Sequence, residues 1–271
     1  MKHVAYIFVI LCYRNVDDLV ACLSSIGKQF AGESYRCVVV DSFYDEGASA
    51  RFKAVAGEND CDYLRIENKG YSYGNNIGIE HALARYSFNY LIVCNPDTEI
   101  CAFNFAPHNK NGIYAPKIKT LNGKLQNPML FRRCVAADYL IYQGFLRKFT
   151  PLIYAGIGVN AFIRRIGLCI LAIAHNGEIR IYQPHGSFII FSKTAVEKLV
   201  PVFDESLFLL AEEGLLARKA HLEGVKVFYH PSVEILHKED GSMSYLGNVG
   251  EQSRVSNLIA YRKIFNAREH A

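Results

Sequence analysis

Acidic residues at the ends of apolar runs are the first chemistry this chain offers. Cys37-Val38-Val39-Val40 ends in Asp41, and Tyr90-Leu91-Ile92-Val93-Cys94-Asn95-Pro96 ends in Asp97. A carboxylate at the carboxyl end of a buried strand stands where open α/β sheets take nucleotides and metals. Oxygen ligands of that kind suit Mg2+ or Mn2+, which in turn suit a diphosphate. The same residues also make ordinary turns, since Pro96 presets φ and Asp caps the next segment. Glu212-Glu213 emerges from the apolar stretch Leu207–Leu210. Apolar surroundings raise a carboxylate pKa and make it a better base, whereas solvated acids at a helix start simply complement the helix dipole. His237, after the apolar run Val233–Leu236, reads as a hydrogen-bonded residue or as a ligand.

Between a strand-like and a helix-like segment, residues 68–78 hold three glycines and three asparagines. Glycine allows backbone to approach a ligand, and a helix start offers free N–H groups to an anion. The segment matches neither G-x-G-x-x-G nor the P-loop, so an NAD or ATP fingerprint is absent.

The elements that must position these residues alternate over the first hundred positions. Val4–Cys12, Cys37–Asp41, Asp62–Ile66 and Tyr90–Cys94 read as strands. Helices are expected from an Asn15 cap to Gln29, over Ala48–Ala56 and over Gly74–Tyr86. Such alternation predicts a parallel sheet with right-handed crossovers. After Asp97 the alternation stops. Strands are expected at Ile113–Ile118, Val225–Tyr229 and Val233–Leu236, and a strand pair at Ile179–Tyr182 and Ser187–Phe191. Residues 136–174 read as helical with breaks at Pro151, Gly156 and Gly158. Further helices are expected at Lys193–Leu199, Leu210–Leu222 and Gln252–Arg268. With no repeat or linker, we expect one domain over 1–271, with parts at 1–98 and 99–240 and a C-terminal helix (241–271).

The 271 residues, 51% apolar and 21% charged, describe a globular chain able to bury a sizeable core. Eight scattered cysteines without a C-x-x-C pair fit reduced thiols in the cytoplasm better than a disulfide framework or a zinc site. No unbroken apolar run reaches the length of a membrane span, and Val4–Cys12 reads as a first core strand rather than a leader. The net charge of +4 is lopsided. Residues 100–177 carry ten basic side chains and one acidic one, Asp138, which points to an anionic partner for that region. Its basic apolar segment is either a core helical pair or a surface that docks on anionic lipid. No recognisable module supports nucleic acid as the partner.

In order, Val38-Val39-Val40-Asp41, Asn68-x-Gly70-Tyr71-x-x-Gly74-Asn75-Asn76-x-Gly78, Asn95-Pro96-Asp97-Thr98, Ala115-Pro116-Lys117, Gly123-Lys124-Leu125-Gln126, Gly186-Ser187-Phe188, Phe203-Asp204-Glu205, Glu212-Glu213 and Pro231 with His237 resemble the family 2 glycosyltransferases, especially their bacterial rhamnosyltransferase-like branch. The resemblance spans about residues 4 to 240 and implies a nucleotide-sugar half (1–98) and an acceptor half (99–240). It implies a GT-A fold, a Rossmann-like, mostly parallel sheet flanked by helices with a mixed acceptor-side portion. It also implies inverting transfer of a sugar from a nucleotide-diphosphate donor, dTDP-rhamnose or a UDP-sugar, to a glycan hydroxyl. The acceptor would be a polyprenyl-diphosphate-linked glycan of surface polysaccharide assembly, reached from the cytoplasm or the inner membrane face.

On that resemblance, Asp41 contacts the nucleoside, and Asn68, Gly70, Asn75 and Asn95 belong to the donor side. Asp97 and His237 attend the Mn2+ or Mg2+ bridging the diphosphate. Glu213 is the general base, with Gly186 and Glu212 on the acceptor side. The chain departs from the family pattern at Leu215, where an Asp is usual, at Ser42, and at Asn95, which replaces the first carboxylate of D-x-D. Leu215 and Asn95 keep a second reading open, a GT-A scaffold that has lost catalysis and serves a polysaccharide-assembly complex. A nucleotidyltransferase ranks last, because Tyr13-Arg14-Asn15 after the first strand lacks glycine.

Overall fold

The computed structural model describes residues 1–173, 178–239 and 249–266. Its first half follows the alternation read from the sequence. Strands β1 (Lys2–Cys12), β2 (Tyr35–Ser42), β3 (Asp62–Ile66) and β4 (Tyr86–Cys94) are all parallel, in the order β3-β2-β1-β4. Helices α1 (Val16–Gln29), α2 (Glu46–Glu58) and α3 (Tyr71–Arg85) make the crossovers. Asn15 caps α1 by accepting from the Asp17 N–H at 3.1 Å, and Asp45 caps α2 by accepting from the Ala48 N–H at 2.7 Å. Val16, Leu19, Leu23 and Ile26 bury the inner face of α1, while Val20 faces out.

The second half continues the same sheet. It contains β5 (Thr98–Phe103), β6 (Ile113–Thr120), α4 (Val135–Arg147), α5 (Thr150–Ile173), β7 (Ile179–Ile181), β8 (Phe188–Ser192), α6 (Lys193–Leu199), α7 (Glu212–Leu222), β9 (Val227–His237) and α8 (Val249–Asn266). The nine strands run β3-β2-β1-β4-β8-β6-β9-β5, with β7 added beside β9. Beyond β4 the sheet is mixed: β8 is antiparallel to β4 and β6, and β9 is parallel to β6 but antiparallel to β5 and β7. The expected pairing of the 179–182 and 187–191 strands is therefore corrected, since each joins a different partner. The two strands expected at 225–236 are one, because a register shift after Pro116 lets β9 run through Pro231. Apolar side chains cover both faces of the sheet, around Val9, Val93 and Phe191 on one and Phe8, Ile92 and Ile190 on the other.

The segment expected to be helical with breaks is a helical hairpin. Its turn is at Lys148 (φ 53°), where the Phe149 N–H returns to the Gly144 carbonyl at 2.8 Å. Pro151 sits in the first turn of α5, where its missing N–H costs nothing. Gly156 does not break α5. It lets the helices touch, since a Cβ there would lie 2.5 Å from Ile141. By length and composition, Thr150–Leu171 is apolar enough to cross a membrane, despite containing Asn160 and Arg164-Arg165. A search for unbroken apolar runs passes over it because those polar residues interrupt the run.

Candidate active site

The carboxyl ends of β1, β2 and β4 open onto a cavity of about 530 Å³, and Tyr13, Asn15, Ser42, Asn95 and Asp97 stand on its wall. Asn68, Gly70, Gly186, Glu212, Glu213 and His237 line the same cavity.

Asp97 lies at the β4–β5 turn, tied down where the Lys238 N–H meets its carbonyl at 3.0 Å. Because Thr98 pairs with His237 across β5 and β9, the imidazole arrives beside the carboxylate, with Nε2 3.3 Å from Asp97 Oδ2. His237 Nδ1 lies 2.8 Å from Gln126 Oε1. The amide of Gln126 is oriented by donating from Nε2 to Glu239 Oε1 at 2.8 Å. A carboxylate only accepts, so the Gln126 oxygen faces His237 and Nδ1 carries the proton. Nε2 is left facing Asp97 Oδ2. Asp97 Oδ1 is buried without a partner. A buried carboxylate oxygen without a donor and an imidazole nitrogen beside it are ligand types that fit a divalent cation whose other positions go to phosphate oxygens and water. Among the described residues, no group of three or more His, Cys, Asp or Glu side chains converges to hold a metal.

Opposite, α7 opens at Glu212 after two residues with left-handed backbone, Leu210 (φ 74°) and Ala211 (φ 71°). That kink turns both acids inward. Burial, with Glu213 next to it, pushes Glu212 up to about 8, and its Oε1 is buried without a partner. Burial raises Glu213 as well, against the Gly186 N–H, which donates to its Oε1 at 3.2 Å. Adjacent buried acids so placed titrate as a pair rather than singly. Gly186 is fixed from behind by Tyr71, whose hydroxyl donates to its carbonyl at 2.8 Å. A Cβ on Gly186 would lie 2.6 Å from Glu213 Oε1, so only glycine brings this backbone so close to the acid.

Only Asn68–Gly70 of the glycine-rich segment is a turn. Asn68 Oδ1 accepts from the Gly70 N–H at 3.2 Å. Gly70 (φ 100°) lies against the Phe208 carbonyl, which a Cβ would overlap at 2.2 Å. Gly74 and Gly78 sit inside α3 and pack on Leu11, Val9 and Val40 rather than on a ligand. Asn75 is fully buried, donates to the Tyr71 carbonyl at 3.0 Å and does not line the cavity. Asp41 is also behind the wall: Tyr63 donates to its Oδ2 at 2.6 Å, while Oδ1 is buried without a partner.

His185 was not anticipated from the sequence. Burial, with His237 beside it, lowers it to about 4, so the ring is neutral. The Ser187 N–H donates to its Nδ1 at 3.2 Å, leaving the proton on Nε2. Its position next to Gly186 was the available signal. Asp18, another unanticipated wall residue, accepts from the Asn15 side chain at 2.5 Å.

Comparison with known proteins gives these contacts a context. The model of glycosyl transferase family 2 matches residues 7–101, which hold Asp41, the Asn68–Gly70 turn and Asp97. Over 233 residues the chain is 23% identical to the low-salt glycan biosynthesis hexosyltransferase Agl10 of Haloferax volcanii, covering 85% of this chain and 66% of that protein. The chain thus spans just under two thirds of that relative's length. Its backbone is similar to that of GalNAc-T7, solved with UDP, GalNAc and Mn2+ (TM-score 0.58, 13% identity, 87% of this chain and 44% of the other). It is similar as well to S. aureus TarS 1-349 in complex with UDP-GlcNAc (TM-score 0.50, 14% identity, 89% of this chain and 61% of the other). The family 2 model thus matches the residues that run from β1 to β5, and the strand order with these likenesses shows the GT-A glycosyltransferase fold.

Proposed function

We propose that this protein transfers a sugar, with inversion, from a nucleoside diphosphate to a hydroxyl of a lipid-linked glycan in surface polysaccharide assembly. One observation carries the reading: the Asp97–His237 pair and the Glu212–Glu213 pair line the same cavity at the strand ends. A UDP-sugar is the favoured donor, because the GalNAc-T7 and TarS structures hold UDP and UDP-GlcNAc; dTDP-rhamnose is the other donor the sequence suggests. Agl10 is a hexosyltransferase of glycan biosynthesis, which supports a glycan acceptor.

In this reading Tyr13, Asn15 and Ser42 receive the nucleoside, with Asp41 supporting the wall from behind. Asn68, Gly70 and Asn95 border the donor. Asp97 and His237 would hold Mn2+ or Mg2+, whose charge neutralises the leaving diphosphate. Glu212, pushed to about 8, holds its proton at neutral pH, and Glu213, which lines the cavity against Gly186, is the acid we assign to face the acceptor. As the acceptor oxygen bonds to the anomeric carbon, the bond from that carbon to the diphosphate oxygen breaks. Glu213 takes the hydroxyl proton. The eight cysteines are all free, which supports a reducing, cytoplasmic setting.

The test is release of nucleoside diphosphate from a panel of UDP- and dTDP-sugars, with detergent-solubilised polyprenyl-diphosphate-linked glycan as acceptor. Acceptor-dependent release that is lost in Glu213→Gln supports the reading. Acceptor-dependent release that persists in Glu213→Gln removes Glu213 from the role, and no release from any donor favours the scaffold reading.

A further inference from the structure

The α4–α5 hairpin presents an apolar face that the rest of the described chain leaves uncovered. Along α5, Tyr154 and Ile157, three apart, and Phe162, Ile166 and Ile170, four apart, are 69%, 48%, 66%, 48% and 58% exposed. At the hairpin tip, Leu146 and Phe149 are exposed on either side of Arg147 and Lys148, and Arg165 joins the stripe on α5. From residue 139 to 171 the chain has no acidic side chain.

The opposite face of α5 is held by the protein. Arg164 donates from Nε to the Pro128 carbonyl at 2.8 Å and from Nη2 to the Leu125 carbonyl at 2.5 Å. Gly167 meets the Phe131 ring so closely that a Cβ would lie 2.4 Å from it. Gly156 meets α4 in the same way. Only 11% of the apolar window of α5 is buried, and Asn160 and Arg164-Arg165 fall within Thr150–Leu171, a make-up that suits a helix at an interface better than one across a bilayer. What it can do is lie in an interface, apolar stripe down, with cations at headgroup level.

We propose that this face docks on the surface of an anionic lipid bilayer. The basic, acid-free composition selects that occupant over a second copy of the chain, whose matching face would bring like charges together. The docked helix would also hold the cavity near the bilayer. Arg164 grips the carbonyl of Leu125, and the next residue, Gln126, lines the cavity and positions His237. Lipid binding stands without the transferase reading; only its use, presenting a lipid-linked acceptor, rests on that reading.

The experiment is co-sedimentation of the full chain with phosphatidylcholine vesicles lacking or containing phosphatidylglycerol, at low and moderate salt. Binding is expected to need the anionic lipid and to weaken with salt. Arg147→Ala with Lys148→Ala should weaken it about 30-fold, at roughly fivefold per cation near a charged surface. Phe162→Ser with Ile166→Ser should lower it further, and circular dichroism of both exposed-site variants should match the parent. Sedimentation indifferent to anionic lipid, or unaffected by either variant, overturns the proposal. So does a concentration-dependent dimer, seen by light scattering, that the Phe162→Ser, Ile166→Ser variant abolishes. Transferase activity enters neither readout, so failure of docking and failure of the transferase reading are separately visible.

Discussion

His237 Nε2 lies 3.3 Å from Asp97 Oδ2 and its Nδ1 lies 2.8 Å from Gln126 Oε1, so carboxylate, imidazole and amide form one chain. A cation held by Asp97 and His237 would take the Nε2 lone pair, and Gln126 fixes the ring that offers it. Replacing Gln126 with Leu removes the acceptor for Nδ1–H without touching either donor atom. We expect Mn2+-dependent nucleotide affinity, measured by calorimetry, to fall about 10- to 100-fold, the usual cost of losing such an orienting partner. Unchanged affinity would show that the ring is positioned without Gln126.

The acidic pair gives a pH signature in stability. Glu212 has an ordinary value of 4.5 and is raised to about 8 in the folded chain. The folded state therefore binds the extra proton, and stability contributed by the protonated group is full below 4.5 and drains away as pH rises toward 8. Glu212→Gln should stabilise the protein, with a gain that grows across pH 4.5 to 8 and reaches roughly 2–4 kcal/mol. Urea unfolding at pH 5 and pH 8 measures it. A gain that is equal at both values contradicts a raised Glu212.

Glu213→Gln keeps the shape and the hydrogen bond from Gly186 but removes the carboxylate we propose as the base. Turnover should fall about 10²- to 10⁴-fold while nucleotide binding is retained. Loss of binding along with turnover would instead mean that the glutamate organises the donor site.

Much of the first hundred residues is legible in the sequence because β1, β2 and β4 are largely buried and read as continuous apolar runs. The Asn15 cap and the strand Asp62–Ile66 obey local rules, while the Asp45 cap lies ahead of the Ala48 start expected for its helix. What local rules missed is the meeting of Asp97 with His237. It depends on β5, whose Thr98-Glu99-Ile100-Cys101 carries no strong pattern, pairing with a strand more than 130 residues later. The same limit affects the asparagines of residues 68–78. Composition marks a rich turn, but only the fold shows that Asn68 reaches the cavity and Asn75 points into the protein. For α5, Arg164-Arg165 interrupts the apolar run in sequence, yet in space Arg164 turns inward to two carbonyls and leaves the stripe outside intact.

The interior glycines of α3 offer a test of packing. A Cβ at Gly78 would lie 2.4 Å from Val9 and 2.9 Å from Val40, both within the sheet. Gly78→Ala should cost about 1–3 kcal/mol by overpacking, more than any gain in helix propensity returns. Chemical denaturation would register the loss. Unaltered stability would mean that α3 lies further from β1 than described.

The central claim is that the cavity is a nucleoside diphosphate site served by a cation at Asp97. Thermal unfolding with UDP or dTDP, each with and without Mn2+, tests it in the parent and in Asp97→Asn. At a hundredfold excess over Kd, binding to the folded state alone adds about 2.7 kcal/mol, several degrees in a chain of this size. The account predicts a rise in the parent only when nucleotide and Mn2+ are both present, and none in Asp97→Asn. An equal rise in Asp97→Asn, or no rise in the parent with either nucleotide, would contradict it.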